Sequence, residues 1–177
     1  PQRSTALTHV SADGAEWIHN AVKERAPQAL ICLDAFHVVQ WATKALDEVR
    51  RGMWNKLRWQ GKHGQASSLK GTRWALLKNI GDLTGEQKTT MASIAVTNKG
   101  LYRAYLLKEQ LRYVFEAKGD RGRQLLAGWL AWAKRSRLPE FTKLAKTIEK
   151  YKPLILNTLD HELSNARVEA TNTHLRV

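Results

Sequence analysis

The stretch from Leu30 to Arg51 constrains this chain more than any other. A short apolar run, Ala29-Leu30-Ile31-Cys32-Leu33, suits a buried strand. It ends at Asp34, and three residues on comes His37. A long helical pattern begins there. Val38, Ala42, Ala45 and Val49 recur at helical spacing with Leu46 and Met53 beside them, while Gln40, Lys44, Asp47, Glu48, Arg50 and Arg51 fill the other face. An acid and a histidine thus stand where a strand hands over to a helix. Open α/β sheets place their chemistry at such carboxyl ends.

Upstream, Leu7 to Ala12 alternates apolar and polar residues and reads as a strand ending at Asp13-Gly14. Glu16 to Ala26 is a short helix carrying Ile18, Ala21, Val22 and Arg25, stopped by Pro27. Strand, helix and strand form a βαβ unit, parallel and right-handed, with Asp13 and Asp34 at one carboxyl edge. From 36 to 158 there is no strong strand signal. The long helix runs from about 36 to about 58. Gly61, Gly64 and Ser67-Ser68 then mark a basic, flexible loop over 58–73, containing Arg58, Lys62, His63, Lys70 and Arg73. Gly71 to Ile80 looks helical, with Trp74, Leu77 and Ile80. Thr84 with Gln87 reads as a capping box opening a helix that carries Met91, Ile94 and Ala95 and closes at Asn98-Lys99-Gly100. Three more helices carry Ala104, Leu107, Leu111 and Val114, then Leu126, Trp129, Leu130 and Ala133, then Phe141, Leu144, Ala145 and Ile148, with breaks at Gly119, Pro139 and Pro153. A final helix starts at Ser164 or Asn165 and puts Glu169 and Asn172 on one face. The fold class is mainly α with a small α/β part.

The net charge of +13 calls for a polyanionic partner, most simply nucleic acid. The bland alternative is a solvated basic surface. A membrane surface is a weaker rival, since there is no lipidation motif and no apolar stretch of spanning length. Cys32, the only cysteine, rules out an internal disulfide framework and a Cys-rich zinc site, and fits a reducing compartment. The motifs GxxxxGK[ST], GxGxxG, GxSxG and HExxH are missing. Of the seven tryptophans, most are expected to be buried or at interfaces.

Asp13, Asp34, His37 and Glu169 are the residues able to carry chemistry. Carboxylates at strand ends and one on a helix can hold divalent ions for phosphoryl transfer on nucleic acid. Taken singly, an aspartate closing a strand is more often a turn or N-cap residue, a histidine in a first helical turn more often packs or caps, and a lone helical glutamate is most often solvated. The 58–73 segment and Lys134, Arg135 and Arg137 are placed to grip phosphates. Trp54, Trp59 and Trp74 suit base stacking, though tryptophans at helical spacing more often belong to a core.

In order along the chain, Val10-Ser11-Ala12-Asp13, Cys32-Leu33-Asp34-Ala35-Phe36-His37-Val38-Val39, Ala45 to Arg51, Leu83-Thr84 with Glu86, Tyr105 to Glu109, Leu138 to Phe141, and Ser164 to Glu169 with Asn172 resemble the bacterial insertion-sequence transposases of the ISL-three type. The resemblance covers nearly the whole chain. It implies a ribonuclease H-like catalytic fold with an Asp-Asp-Glu metal triad. Asp13 then matches the second aspartate and Glu169 the glutamate, both binding Mg²⁺ or Mn²⁺. Asp34 and His37 match an Asp-x-x-His motif of supporting role, and Arg167 and Asn172 flank the glutamate. Residues 1–37 become part of the catalytic core, 38–162 the helical insertion, and 163–177 the core helix bearing the glutamate. The implied partner is double-stranded DNA, the implied assembly a homo-oligomer, and the implied setting the bacterial cytoplasm and its nucleoid, with no membrane.

The family's first aspartate lies on an earlier strand, and the chain opens without Met and stops soon after Glu169. The sequence therefore reads as a fragment, expected to be inactive alone. The rival expectation is a non-catalytic basic helical module for nucleic-acid binding or self-association. A metal-sharing pair would place the Asp13 and Glu169 carboxylates roughly 4–8 Å apart.

Overall fold

A computed structural model describes residues 7–161. Strands β1, His9–Ala12, and β2, Leu30–Leu33, pair in parallel, His9 opposite Leu30 and Ala12 opposite Leu33. Helix α1, Glu16–Arg25, joins them. The βαβ unit is as the sequence implies, although β1 starts at His9 rather than Leu7. Helix α2, Ala35–Trp59, is the strut of the molecule. Its 25 residues span about 36 Å at the α-helical rise. Val38, Ala42, Ala45, Leu46 and Val49 form its buried stripe.

The remaining helices are α3, His63–Gly71, α4, Arg73–Leu77, α5, Gly85–Thr97, α6, Lys99–Ala117, α7, Gly119–Arg135, α8, Pro139–Lys150, and α9, Lys152–His161. A 3₁₀ turn at Ile80–Asp82 follows α4. Helices α3, α4, α6 and α8 pack on α2, while α7 packs on α6 and α8. Helix α9 lies against both β2 and α7. One apolar cluster runs from Leu33 through α2 into the helices behind it. The molecule is thus mainly helical, with a small two-stranded parallel sheet.

Helix α9 also covers one edge of that sheet. In a parallel ladder alternate residues point to opposite sides. The Leu30 and Asp34 amides donate to Thr8 and Ala12 on the β1 side. Ile31 and Leu33 therefore turn away from β1. Their carbonyls accept bonds from Asn157 Nδ2 at 2.9 Å and Thr158 Oγ1 at 2.6 Å. Side chains of α9 thus stand in for a further strand.

Two local expectations are corrected. The segment 58–73 is not a flexible loop: α2 continues to Trp59 and α3 occupies His63–Gly71. Glycine and serine disfavour helix, but Ala66 and Leu69, three apart, bury themselves against α2, and packing outweighs propensity. The helix expected over 71–80 shrinks to Arg73–Leu77, because the Lys108 ammonium takes the Leu76 and Lys78 carbonyls at 3.2 and 2.7 Å. Of the tryptophans, Trp129 is fully buried and Trp41, Trp54 and Trp132 pack partly buried against the core, while Trp17, Trp59 and Trp74 are exposed. The expected Thr84–Gln87 capping box is present. Pro153 falls in the first turn of α9, where a missing amide costs nothing.

Gly122 sits at a close approach of α6, α7 and α9. A β-carbon there would lie 2.9 Å from the Val114 carbonyl oxygen and 3.1 Å from Leu159 Cδ2. The backbone oxygen cannot yield easily. Gly122→Ala is expected to destabilise by about 1–3 kcal/mol, despite alanine's better helix propensity. Urea unfolding measures this, and an unchanged midpoint would contradict the tight crossing.

Candidate functional site

The register of the sheet builds the acid edge. Ala12 pairs with Leu33, so the next residues, Asp13 and Asp34, leave the sheet side by side. Each carboxylate also does a local job. Asp13 Oδ1 accepts the Ala15 amide at 3.0 Å and closes the turn into α1. Asp34 Oδ1 accepts the Phe36 amide at 2.9 Å and caps α2. The capping role foreseen for Asp34 is therefore real. The other oxygens face His37, in the first turn of α2. His37 Nε2 lies 4.0 Å from Asp13 Oδ2, and its Nδ1 lies 3.9 Å from Asp34 Oδ2. These separations exceed a direct hydrogen bond. The Asp13 carboxylate and the imidazole are about one-third exposed (38% and 37%), so the edge is open to solvent and ligand.

Residues remote in sequence fix the Asp13 turn. His19 Nε2 donates to the Asp13 carbonyl at 2.9 Å. The Tyr151 hydroxyl donates to the Gly14 carbonyl at 3.0 Å, and its ring packs 5.7 Å from that of Trp41. Gly14 leaves the room this requires, since a β-carbon there would meet Trp41 at 3.1 Å. Lys150 pairs with Glu16 at 3.0 Å, holding that carboxyl below its usual pKa and tying α1 to the end of α8. Sequence reasoning missed these supports. Tyr151 lies more than a hundred residues downstream, and only His19, in the first turn of α1 and six residues after Asp13, is locally suggestive.

The basic candidates fall in two places. Arg58, Lys62, His63, Lys70 and Arg73 gather at the far end of α2 and on α3 and α4, all exposed. Lys134, Arg135 and Arg137 sit where α7 turns into α8. There Lys134 is paired with Glu149, and Arg135 Nε donates to the Ala131 carbonyl at 3.1 Å. Cys32 is buried, and burial, with Asp160 nearby, pushes its thiol pKa up, as suits an inert core residue. Glu169, Arg167 and Asn172 lie outside the described residues, as does the helix expected from Ser164. Among the described residues no three His, Cys, Asp or Glu side chains gather closely enough to hold a metal ion. No helix among them is long and apolar enough to cross a membrane.

Two acids at the carboxyl edge of a small parallel sheet thus sit on a mainly helical chain of net charge +13. A family profile described as transposase, of the ISL-three DDE type, matches residues 1–177. The chain belongs to this family of insertion-sequence transposases. It is 47% identical over 195 aligned positions to the transposase for insertion sequence element IS1557 of Mycobacterium tuberculosis, covering 99% of this chain and 44% of that protein. It is 28% identical to the transposase for insertion sequence element IS1001 of Bordetella parapertussis, covering 100% of this chain and 44% of that protein. The chain therefore spans less than half the length of these relatives. No solved structure matches it.

Proposed function

We propose that this chain is the part of a DDE-type DNA transposase that carries the second catalytic aspartate, a helical insertion and the catalytic glutamate. In this reading residues 1–37 and 163–177 belong to a ribonuclease H-like core and 38–162 to the insertion. The observation that best supports it is the register that sets Asp13 beside Asp34 with His37 facing both. Asp13 suits a hard cation. Its carboxylate is partly open and spends one oxygen on a backbone amide, and Mg²⁺ takes few carboxylates with water and phosphate oxygens. Asp13 and Glu169 would hold Mg²⁺ or Mn²⁺ together with an acid from elsewhere in the whole protein. Bound there, such an ion stabilises charge on the scissile phosphate and lowers the pKa of an attacking water.

The chain's own residues have separate tasks. Asp34 fixes the start of α2 and so the position of His37. The imidazole faces two carboxylates, and when protonated it offsets their repulsion of a phosphate. Arg167 and Asn172 support the glutamate. The basic groups of α2 to α4, with Arg137, grip the DNA backbone. In the whole protein, working as a homo-oligomer on DNA in the bacterial cytoplasm, hydrolysis at the transposon end precedes strand transfer to target DNA. The 1–177 chain alone binds DNA without cleaving it.

The test is a duplex-DNA titration with and without millimolar Mn²⁺. The metal is expected to raise the affinity of 1–177 about tenfold. Asp13→Asn and Glu169→Gln should each abolish that gain and leave salt-dependent binding intact. Affinity indifferent to metal in all three proteins would sink the catalytic reading. It would leave the non-catalytic basic module. Metal-dependent cleavage by 1–177, lost in Asp13→Asn, would overturn the expected inactivity.

A further inference from the structure

We propose that the far end of α2, with α3 and α4, binds unpaired DNA, single-stranded or locally opened, in preference to closed duplex. The proposal rests on the transposase reading above and names the form of DNA that this surface takes.

Three observations carry it. First, residues 49–81 hold eight lysines and arginines and no aspartate or glutamate. Asp47 engages Arg50 and Arg51 at the near end of the strip. Among the described residues no carboxylate pairs with Arg58, Lys62, Lys70 or Arg73. Second, Trp59 is 94% exposed and Trp74 67% exposed, although the same chain buries Trp129 completely. Third, flat groups are already layered here. The Arg58 guanidinium sits 4.8 Å from the Trp54 ring centre, and that of Arg73 sits 5.4 Å from Trp74. Arg58 and Trp59 line one hollow with Asn55 and His63. Trp54 and Trp74 line another with Lys70 and Arg73. The Arg58–Trp54 stack joins the two.

The chemistry selects the partner. An exposed indole offers a large flat apolar face, and arginine adds a cation that also stacks. A single strand supplies both complements, bases to stack and phosphates to neutralise. A closed duplex presents its phosphates but hides the faces of its bases, so tryptophans add little to its binding. Location refines this. Arg51 to Trp59 lie about 26–38 Å along α2 from its capped end at Asp34. At the duplex rise of about 3.4 Å per base pair, that is about 8–11 base pairs from a phosphate at the acid edge. The surface therefore holds a strand some distance from the reacting bond, as a displaced or opened strand would lie.

Fluorescence titration of 1–177 with a short oligothymidylate and with a short duplex tests the proposal. Trp59→Ala with Trp74→Ala should weaken oligothymidylate binding by roughly 5- to 140-fold per lost stack and duplex binding by no more than about twofold. The salt dependence of both should persist, because the phosphate contacts remain. Trp59→Phe with Trp74→Phe should restore most of the single-strand affinity, which separates stacking from damage to the fold. Equal losses on both DNA forms would overturn the proposal in favour of a backbone groove. Unchanged DNA binding with weakened self-association would overturn it in favour of a contact between copies. Either failure, with metal-enhanced duplex binding intact, leaves the transposase reading standing. Failure to bind DNA of either form would overturn this proposal and the DNA-binding role proposed above.

Discussion

Lys108→Ala is expected to lower the unfolding free energy by about 3–5 kcal/mol, the usual cost of leaving one partner of a buried ion pair alone. Lys108 is 1% exposed, on α6. Its ammonium donates to the Leu76 and Lys78 carbonyls, lies 2.8 Å from Glu109 Oε1 and sits 4.7 Å from the Tyr105 ring centre. Glu109 Oε2 accepts the Ile80 amide at 2.9 Å and meets Arg112 at 3.2 Å. One lysine thus fastens the corner between α4 and the 3₁₀ turn onto α6. Removing it strands two carbonyls and leaves the buried Glu109 carboxylate with the Ile80 amide and Arg112 alone. Glu109→Gln should cost less, because the amide oxygen can still accept from Ile80. Guanidinium unfolding of the two variants measures the difference, and a Lys108→Ala loss below about 1 kcal/mol would show the corner to be held by packing alone.

The same cluster sets a pH dependence whose two parts share a sign. Burial works to raise the Glu109 pKa, but Lys108, the Ile80 amide and Arg112 outweigh it and hold the carboxyl below its ordinary value. Its stabilisation is present above the unfolded-state pKa and is lost as pH falls through the folded one. Burial also lowers the Lys108 pKa, against the pull of Glu109. The unfolded chain therefore binds the Lys108 proton more readily, and stability rises with pH between that lowered value and the ordinary lysine range. Burial, with Glu109 nearby, pushes the Tyr105 hydroxyl far up, so it stays neutral beside them.

What the sequence revealed and what it hid follow from how local each cause is. The βαβ unit, Asp34 as a cap and the Thr84–Gln87 box depend on residues a few positions apart, so their signals survive in one dimension. The stripe Val38, Ala42, Ala45 and Val49 is periodic over several turns and marks the strut without ambiguity. Helix α3 was hidden because its stability comes from two small contacts with α2 rather than from its glycines and serines. The stop after α4 was hidden because it is imposed by Lys108, some thirty residues away. At the acid edge the neighbourhood of Asp13, Asp34 and His37 was legible from the strand–helix junctions. The pinning of Gly14 by Tyr151, and the closing of β2 by Asn157 and Thr158, are contacts across the whole chain that no spacing announces. One further signal lay in plain view, the lack of any acid between Val49 and Gly81, and it marks the basic surface better than glycine content does.

Trp129→Ala is the second large effect expected, about 3–5 kcal/mol of lost stability. Trp129 is fully buried on α7, and its indole Nε1 donates to the Leu107 carbonyl of α6 at 2.8 Å. Alanine would leave a cavity of nearly the whole indole between helices whose backbones are already close at Gly122. Close backbones cannot move inward to refill it, so the cavity contributes to the cost. Trp129→Phe separates packing from polarity. It keeps most of the volume and deletes only the N–H, while Leu107, interior to α6, keeps its place in the helical ladder. That variant should lose about 1–2 kcal/mol. The effect reaches the sheet, because α7 packs on α9 and α9 bonds the outer carbonyls of β2. Amide exchange in Leu30–Leu33 should therefore quicken in Trp129→Ala and hardly change in Trp129→Phe. Faster exchange confined to α6 and α7 would instead mean that β2 holds its place without help from the helices behind it.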